Sequence, residues 1–172
     1  LNGNKNVQVE IITGDYLDFS SPIAPKNSWA NNKKNDVAVW IIRLDRNGNF
    51  AIPDTRSGAK RNLYVLKGSN MEIDGQSISG GSMVTLDSSK NTVLKNLGNK
   101  TKILMLQGVP INEPVVKYGP FVMNTRSEIE QAFYDYNKTE FGGWKWGNSD
   151  PVHGMEKEKF AKLINGNIIK PS

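Results

Sequence analysis

Between Val7 and Leu106 no single pattern persists for long, and this rhythm limits what the chain can fold into. Val7-Gln8-Val9-Glu10-Ile11 alternates apolar and polar residues, which in an extended chain places Val7, Val9 and Ile11 on one face. Val37 to Leu44 carries β-branched and aromatic residues on both faces and predicts a central strand covered on both sides. Shorter apolar runs follow at Asn49 to Ile52, Asn62 to Lys67, Met71 to Ile73, Met83 to Leu86, Thr92 to Lys95 and Lys102 to Leu106. Asn47-Gly48 and Asp74-Gly75 are two-residue hairpin signals, because both residue pairs tolerate positive φ. Gly68-Ser69 and Ser79-Gly80-Gly81 supply further turns. Short strands with a turn roughly every 8–12 residues predict an all-β sandwich or barrel.

The pattern changes at residue 108. Gly108-Val109-Pro110 and Glu113-Pro114 interrupt regular structure. Thr125-Arg126-Ser127-Glu128 is a capping box, in which the threonine hydroxyl accepts the glutamate N–H and the glutamate side chain reaches back. Ile129, Ala132, Phe133 and Tyr136 then recur at helical spacing, which predicts a helix from about Arg126 to Lys138. A second short helix is predicted over Met155 to Ile164, with Phe160, Leu163 and Ile164 inward. The expected organisation is a barrel over residues 1–107 and a helical extension over 108–172, packed on that barrel as one domain.

Several classes of chemistry are poorly served by this composition. There is no cysteine, so disulfides, thiolate metal sites and a cysteine nucleophile are excluded. The only histidine, His153, lies in the polar stretch Asn148 to Gly154 and reads as a surface-loop residue. A multi-histidine metal site cannot be built from one imidazole. The net charge of +5 comes from scattered lysines and arginines, with no basic stripe interleaved with aromatics, so no specific nucleic-acid partner is expected. The longest apolar run, Val37 to Ile42, has six residues, far short of the ~18 that span a bilayer. Leu1 to Asn6 is polar and lacks the apolar core of a signal peptide. No membrane partner and a cytoplasmic location are expected.

Two segments carry a family resemblance. Leu63-Tyr64-Val65-Leu66-Lys67-Gly68, Met71-Glu72-Ile73-Asp74-Gly75 and Gly80-Gly81-Ser82-Met83-Val84 resemble the central strands of cupin jelly rolls. The continuous run from Leu106 through Gly108-Val109-Pro110-Ile111-Asn112-Glu113-Pro114 and Tyr118-Gly119-Pro120-Phe121 to Thr125 is similar to the C-terminal signature of the pirin family. Glu128-Ile129, Ala132, Tyr136 and Phe141-Gly142-Gly143-Trp144 extend it. The resemblance implies a cupin-type double-stranded β-helix with one or two short C-terminal helices. It also implies a bicupin of nearly twice this length. Its N-terminal barrel would hold iron or another divalent metal on three histidines and a glutamate; this chain resembles the C-terminal barrel.

Counting back from Gly68 places the cupin metal-ligand positions near Asp54, Arg56, Arg61 and Val84, none of which matches a histidine or glutamate. No metal and no catalytic residue are therefore expected within this chain. Asp54, Glu72 and Asp74 read as solvated turn carboxylates, and Glu128 and Glu130 do not face one another on a helix. Tyr118, Phe121, Phe133, Tyr136 and Trp144 form the candidate interface. The expected partner is the N-terminal cupin of the same protein or a second copy of this chain. The role implied first is structural. Participation in a quercetin 2,3-dioxygenase-type oxidoreductase, or binding of protein partners by a pirin-like regulator, is the alternative.

Overall fold

In a computed structural model of the chain, residues 6–55, 58–143, 159–163 and 165–170 are described. They fall into two compact units, residues 1–112 and 113–172. In the first unit, nine strands follow in chain order: β1 (Val7–Thr13), β2 (Ala38–Asp45), β3 (Asn49–Ile52), β4 (Lys60–Lys67), β5 (Met71–Ile73), β6 (Gln76–Ile78), β7 (Met83–Leu86), β8 (Thr92–Asn96) and β9 (Lys100–Gly108). They form two sheets, β1-β2-β9-β4-β7 and β3-β8-β5-β6, whose paired strands are all antiparallel.

The inner faces supply one core. Trp40, Ile42, Leu44, Leu63, Val65, Ile103 and Met105 of the larger sheet cluster with Phe50, Ile52, Met71, Ile73 and Leu94 of the smaller. Each such side chain, fully buried, stabilises the fold by about 1.5–3 kcal/mol. Tyr16 joins the sheets: its ring lies 5.3 Å from Trp40 and 5.2 Å from Phe50, and its hydroxyl donates to the Ala51 carbonyl at 3.2 Å.

Two expectations need correction. β2 is covered on one face only: Ala38, Trp40, Ile42 and Leu44 are buried, while Val39, Ile41 and Arg43 are half-buried on the outer face. It is nonetheless an interior strand of its sheet, between β1 and β9. Asn47-Gly48 does not close a hairpin, because β2 and β3 belong to different sheets. It is a corner, pinned by Asn47 N–H to the Asn96 carbonyl and by Asn96 N–H to the Gly48 carbonyl, both at 2.9 Å. A Cβ at Gly48 would meet the Asn6 carbonyl oxygen at 2.6 Å, so only glycine fits there. Asp74-Gly75 does close a hairpin, between β5 and β6, with φ of 50° and 80° as a type I′ turn requires.

The second unit holds a hairpin of β10 (Val116–Tyr118) and β11 (Phe121–Met123), then α1 (Arg126–Thr139) and one 3₁₀ turn over Glu140–Gly142. The capping box of α1 is formed as expected, with both the Thr125 and Glu128 side chains engaged. Over residues 159–163, the described part of the second predicted helix, the chain is not helical: Ala161–Lys162 is strand β12, paired with β13 (Ile168–Ile169). Gly166, at φ 86°, turns this chain segment back, and its N–H reaches the Leu163 carbonyl at 2.9 Å. Residues 155–158 and 164 of that predicted helix lie outside the described residues.

Candidate functional site

The inner face of β4 is apolar at Leu63 and Val65 but begins with Arg61, which is 2% exposed. Arg61 stands opposite Gln107 of β9, and its Nε donates to Gln107 Oε1 at 2.6 Å. Its Nη2 donates to the Pro53 carbonyl at 2.9 Å, and Nη1 has no hydrogen-bond partner. Gln107 Nε2 donates in turn to Asp36, at 2.9 Å to Oδ1 and 3.2 Å to the backbone carbonyl. The Thr55 hydroxyl donates to the other Asp36 carboxylate oxygen. Burial pushes the Arg61 guanidinium below its ordinary pKa, and the charges of Asp36 and Asp54 push it back up. The group stays a cation, because arginine does not lose its proton in proteins.

This donor set does not fit a metal ion. A guanidinium has no lone pair to give and repels a cation. Of the other counted positions, Asp54 is exposed in the segment that follows β3, where its N–H is held by the Asn91 side chain at 2.8 Å. Val84 pairs with Leu63 and packs against the apolar core. Arg56 lies outside the described residues. Among the described residues no three His, Asp or Glu side chains gather.

In the second unit, four of the five candidate interface residues come together. The Phe133 ring on α1 lies 5.6 Å from Tyr118 and 4.9 Å from Phe121, and Phe121 lies 6.3 Å from Tyr136. All are edge-to-face contacts, the geometry aromatic quadrupoles favour. Phe141, which sequence reasoning left out of this group, closes it at 5.9 Å from Phe121 and 5.4 Å from Tyr136. The cluster stays open to solvent: Tyr118 is 66% exposed and Phe141 61%. Beside it Val116, Tyr118, Ile129 and Phe133 line a cavity of about 450 Å³. Trp144, the fifth candidate, lies outside the described residues, as does His153.

The candidate carboxylates are occupied structurally. Glu128 accepts from the Thr125 N–H at 2.7 Å and its hydroxyl at 2.9 Å, which hold its carboxyl below the usual range. Glu130 pairs instead with Arg126 at 3.6 Å. Asp74 accepts the Val93 N–H at 2.7 Å. Glu72 lies on β5 rather than a turn, opposite Lys95 of β8.

Two facing antiparallel sheets around one apolar core, with strands β3-β8-β5-β6 closing over β1-β2-β9-β4-β7, define an all-β cupin jelly roll. The profile of the Pirin C-terminal cupin domain matches residues 39–142, and the chain belongs to that family. A Vibrio cholerae protein with the provisional name quercetin 2,3-dioxygenase is 34% identical over 139 residues, covering 81% of this chain and 43% of its own length. Pirin-1 of Arabidopsis thaliana is 25% identical over 141 residues, covering 79% of this chain and 46% of its own. A crystal structure of quercetin 2,3-dioxygenase from Acinetobacter baumannii superposes with a TM-score of 0.68 at 26% identity, over 83% of this chain and 46% of that one. The chain thus spans less than half the length of these relatives.

Proposed function

We propose that this chain is a metal-free cupin with a structural and interacting role in a pirin-like protein. Its aromatic cluster docks on a partner, either a metal-binding N-terminal cupin of the same protein or a second copy of this chain. The observation that carries this reading is the edge-to-face group of Tyr118, Phe121, Phe133, Tyr136 and Phe141, in which Tyr118, Tyr136 and Phe141 are exposed. Exposed apolar groups of this size on one surface mark interaction sites more often than chance. The Arg61 network supports the metal-free part, since it fills one end of the inner face with a cation of the protein's own. Iron or another divalent metal then belongs to the N-terminal cupin, and the protein works in the cytoplasm.

A second reading has its own support. The Vibrio relative and the Acinetobacter structure both carry the name quercetin 2,3-dioxygenase. Under that reading this half shapes or covers a substrate pocket in a larger oxidoreductase. A role as a regulator that binds protein partners uses the same aromatic surface. Sedimentation of the 172-residue chain tests the docking claim. The wild type is expected to self-associate and Phe133→Asp to remain monomeric, with Tyr118→Asp, at an exposed position, as the variant that leaves the fold intact. Monomers in all three, with Phe133→Asp losing only stability, overturn it.

A further inference from the structure

Four strands of the larger sheet place Gln8, Arg43, Lys102 and Lys67 side by side in one row. Neighbouring strands lie about 4.8 Å apart, so three cationic side chains stand on consecutive strands within about 10 Å. Like charges directly opposite one another destabilise a sheet. The row is therefore not what folding alone selects. A β-bulge at Leu66 builds it. Val65 pairs with Ile103 and Lys67 with Lys102, so Leu66 is an extra residue on its strand. By simple alternation Lys67 would share the inner face with Leu63 and Val65; the bulge turns it outward, where it is exposed opposite Lys102.

The two acids nearby answer only half of this charge. Glu10 pairs with Arg43 at 3.0 Å, and Asp45 with Lys100, in the adjoining row, at 3.8 Å. Lys67 and Lys102 have no acidic partner among the described residues. All four cations line one cleft of about 460 Å³, within the range of small-molecule sites. We infer that this cleft, on the outer face of the sheet and in the first unit alone, is a binding site for a multiply charged phosphate such as a polyphosphorylated small molecule. Several oxygens on one ligand can meet Lys67, Lys102 and Arg43 together, which a single carboxylate cannot.

Inorganic tripolyphosphate is the probe, titrated into the 172-residue chain by calorimetry and by amide NMR. One saturable site is expected, with the largest shifts at residues 43, 67, 100 and 102. Lys67→Gln and Lys102→Gln are each expected to weaken binding at least tenfold. Lys90→Gln, an exposed lysine elsewhere that pairs with Asp87, is expected to leave binding unchanged. Orthophosphate is expected to bind at least tenfold more weakly than tripolyphosphate. Equal weakening by Lys90→Gln, or no saturable binding at millimolar tripolyphosphate, overturns the inference.

Discussion

Arg61 and Gln107 face each other across β4 and β9, joined at 2.6 Å, with Asp36 held at the far side of the glutamine. Two of the buried cation's nitrogens are thus met by a neutral amide and a backbone carbonyl while Nη1 has no partner, and the nearest counter-charge sits beyond the glutamine. Breaking such a buried, hydrogen-bonded charge costs more than its net contribution, because the partners are left without water. Arg61→Ala is expected to destabilise the chain by about 3 kcal/mol, measured by urea unfolding. Arg61→Lys restores the charge but not the planar fork and is expected to recover less than half of the loss.

In the smaller sheet, at the end of β8, Asn96 is fully buried. Its Nδ2 donates to the Leu44 and Asp45 carbonyls at 2.9 and 3.0 Å, and its Oδ1 accepts the Thr101 hydroxyl and the Gly98 N–H at 3.0 Å. All its side-chain capacity is used: Nδ2 ties down the end of β2 just before the corner at Asn47-Gly48, and Oδ1 ties down the start of β9 and the turn before it. Asn96→Asp keeps the shape but turns an oxygen toward two carbonyls. It is expected to cost about 3 kcal/mol or more at pH 7, with a lowered Tm as the readout.

These two residues also mark the limit of what the sequence made legible. The alternation of Val7, Val9, Leu63 and Val65 gave the strands, because period-two patterning follows directly from burying one face. The capping box gave the start of α1, since its partners are three residues apart. Arg61 and Asn96 gave no signal: Gln107 lies 46 residues from Arg61 and Leu44 lies 52 from Asn96, and only strand pairing in the first case and the packing of one sheet on the other in the second bring them together. The corner at Asn47-Gly48 was misread as a hairpin because the dipeptide reports a local turn and not the sheet that the next strand joins. The β10–β11 hairpin was missed although Gly119-Pro120 is a two-residue turn between Val116–Tyr118 and Phe121–Met123. The aromatic grouping was legible in Phe133 and Tyr136 through helical spacing, whereas Phe141 reaches it from beyond the helix end.

Acid should loosen two local features before the core. The Ser89 hydroxyl, Lys90 and the Ser89 N–H hold the Asp87 carboxyl at about 2. The Thr125 hydroxyl and N–H likewise hold Glu128 low. Both folded values lie below the unfolded ones, about 3.9 and 4.3. Their stabilisation is therefore complete above those unfolded values and is lost as pH falls through the folded ones. Carboxyl-carbon NMR is expected to show Asp87 titrating near 2 and to return it toward the ordinary range in Ser89→Ala. Over the same acid window the amides of Thr125 and Glu128 are expected to lose exchange protection, and Glu128→Gln to flatten that dependence.

Metal loading separates this chain from a metal-type cupin. Three of the four counted ligand positions are Asp54, Arg61 and Val84, one exposed, one cationic and one apolar. Incubation with iron, nickel or zinc followed by desalting is expected to leave well under one metal per chain by elemental analysis. Added iron is expected to produce no quercetin turnover by the chain alone. Stoichiometric metal that is lost on changing Asp54 would overturn the expectation.

Gly119 connects the hairpin to the aromatic cluster and gives the sharpest test of how that cluster is built. Its φ is +55°, a conformation that side chains with a Cβ adopt at a cost. The same missing Cβ leaves room for α1: one built there would stand 3.3 Å from Phe133 Cζ. Gly119→Ala therefore combines backbone strain with a tight ring contact and is expected to cost about 1–2 kcal/mol. Gly75→Ala shares the positive φ, at 80°, but its Cβ would meet nothing within 4 Å, so it isolates the strain component. If the cluster is held by the close approach of hairpin and helix, near-UV circular dichroism should weaken in Gly119→Ala and not in Gly75→Ala. Equal spectra in the two variants would mean that Phe133 simply moves aside, and that the cluster is not fixed by the turn.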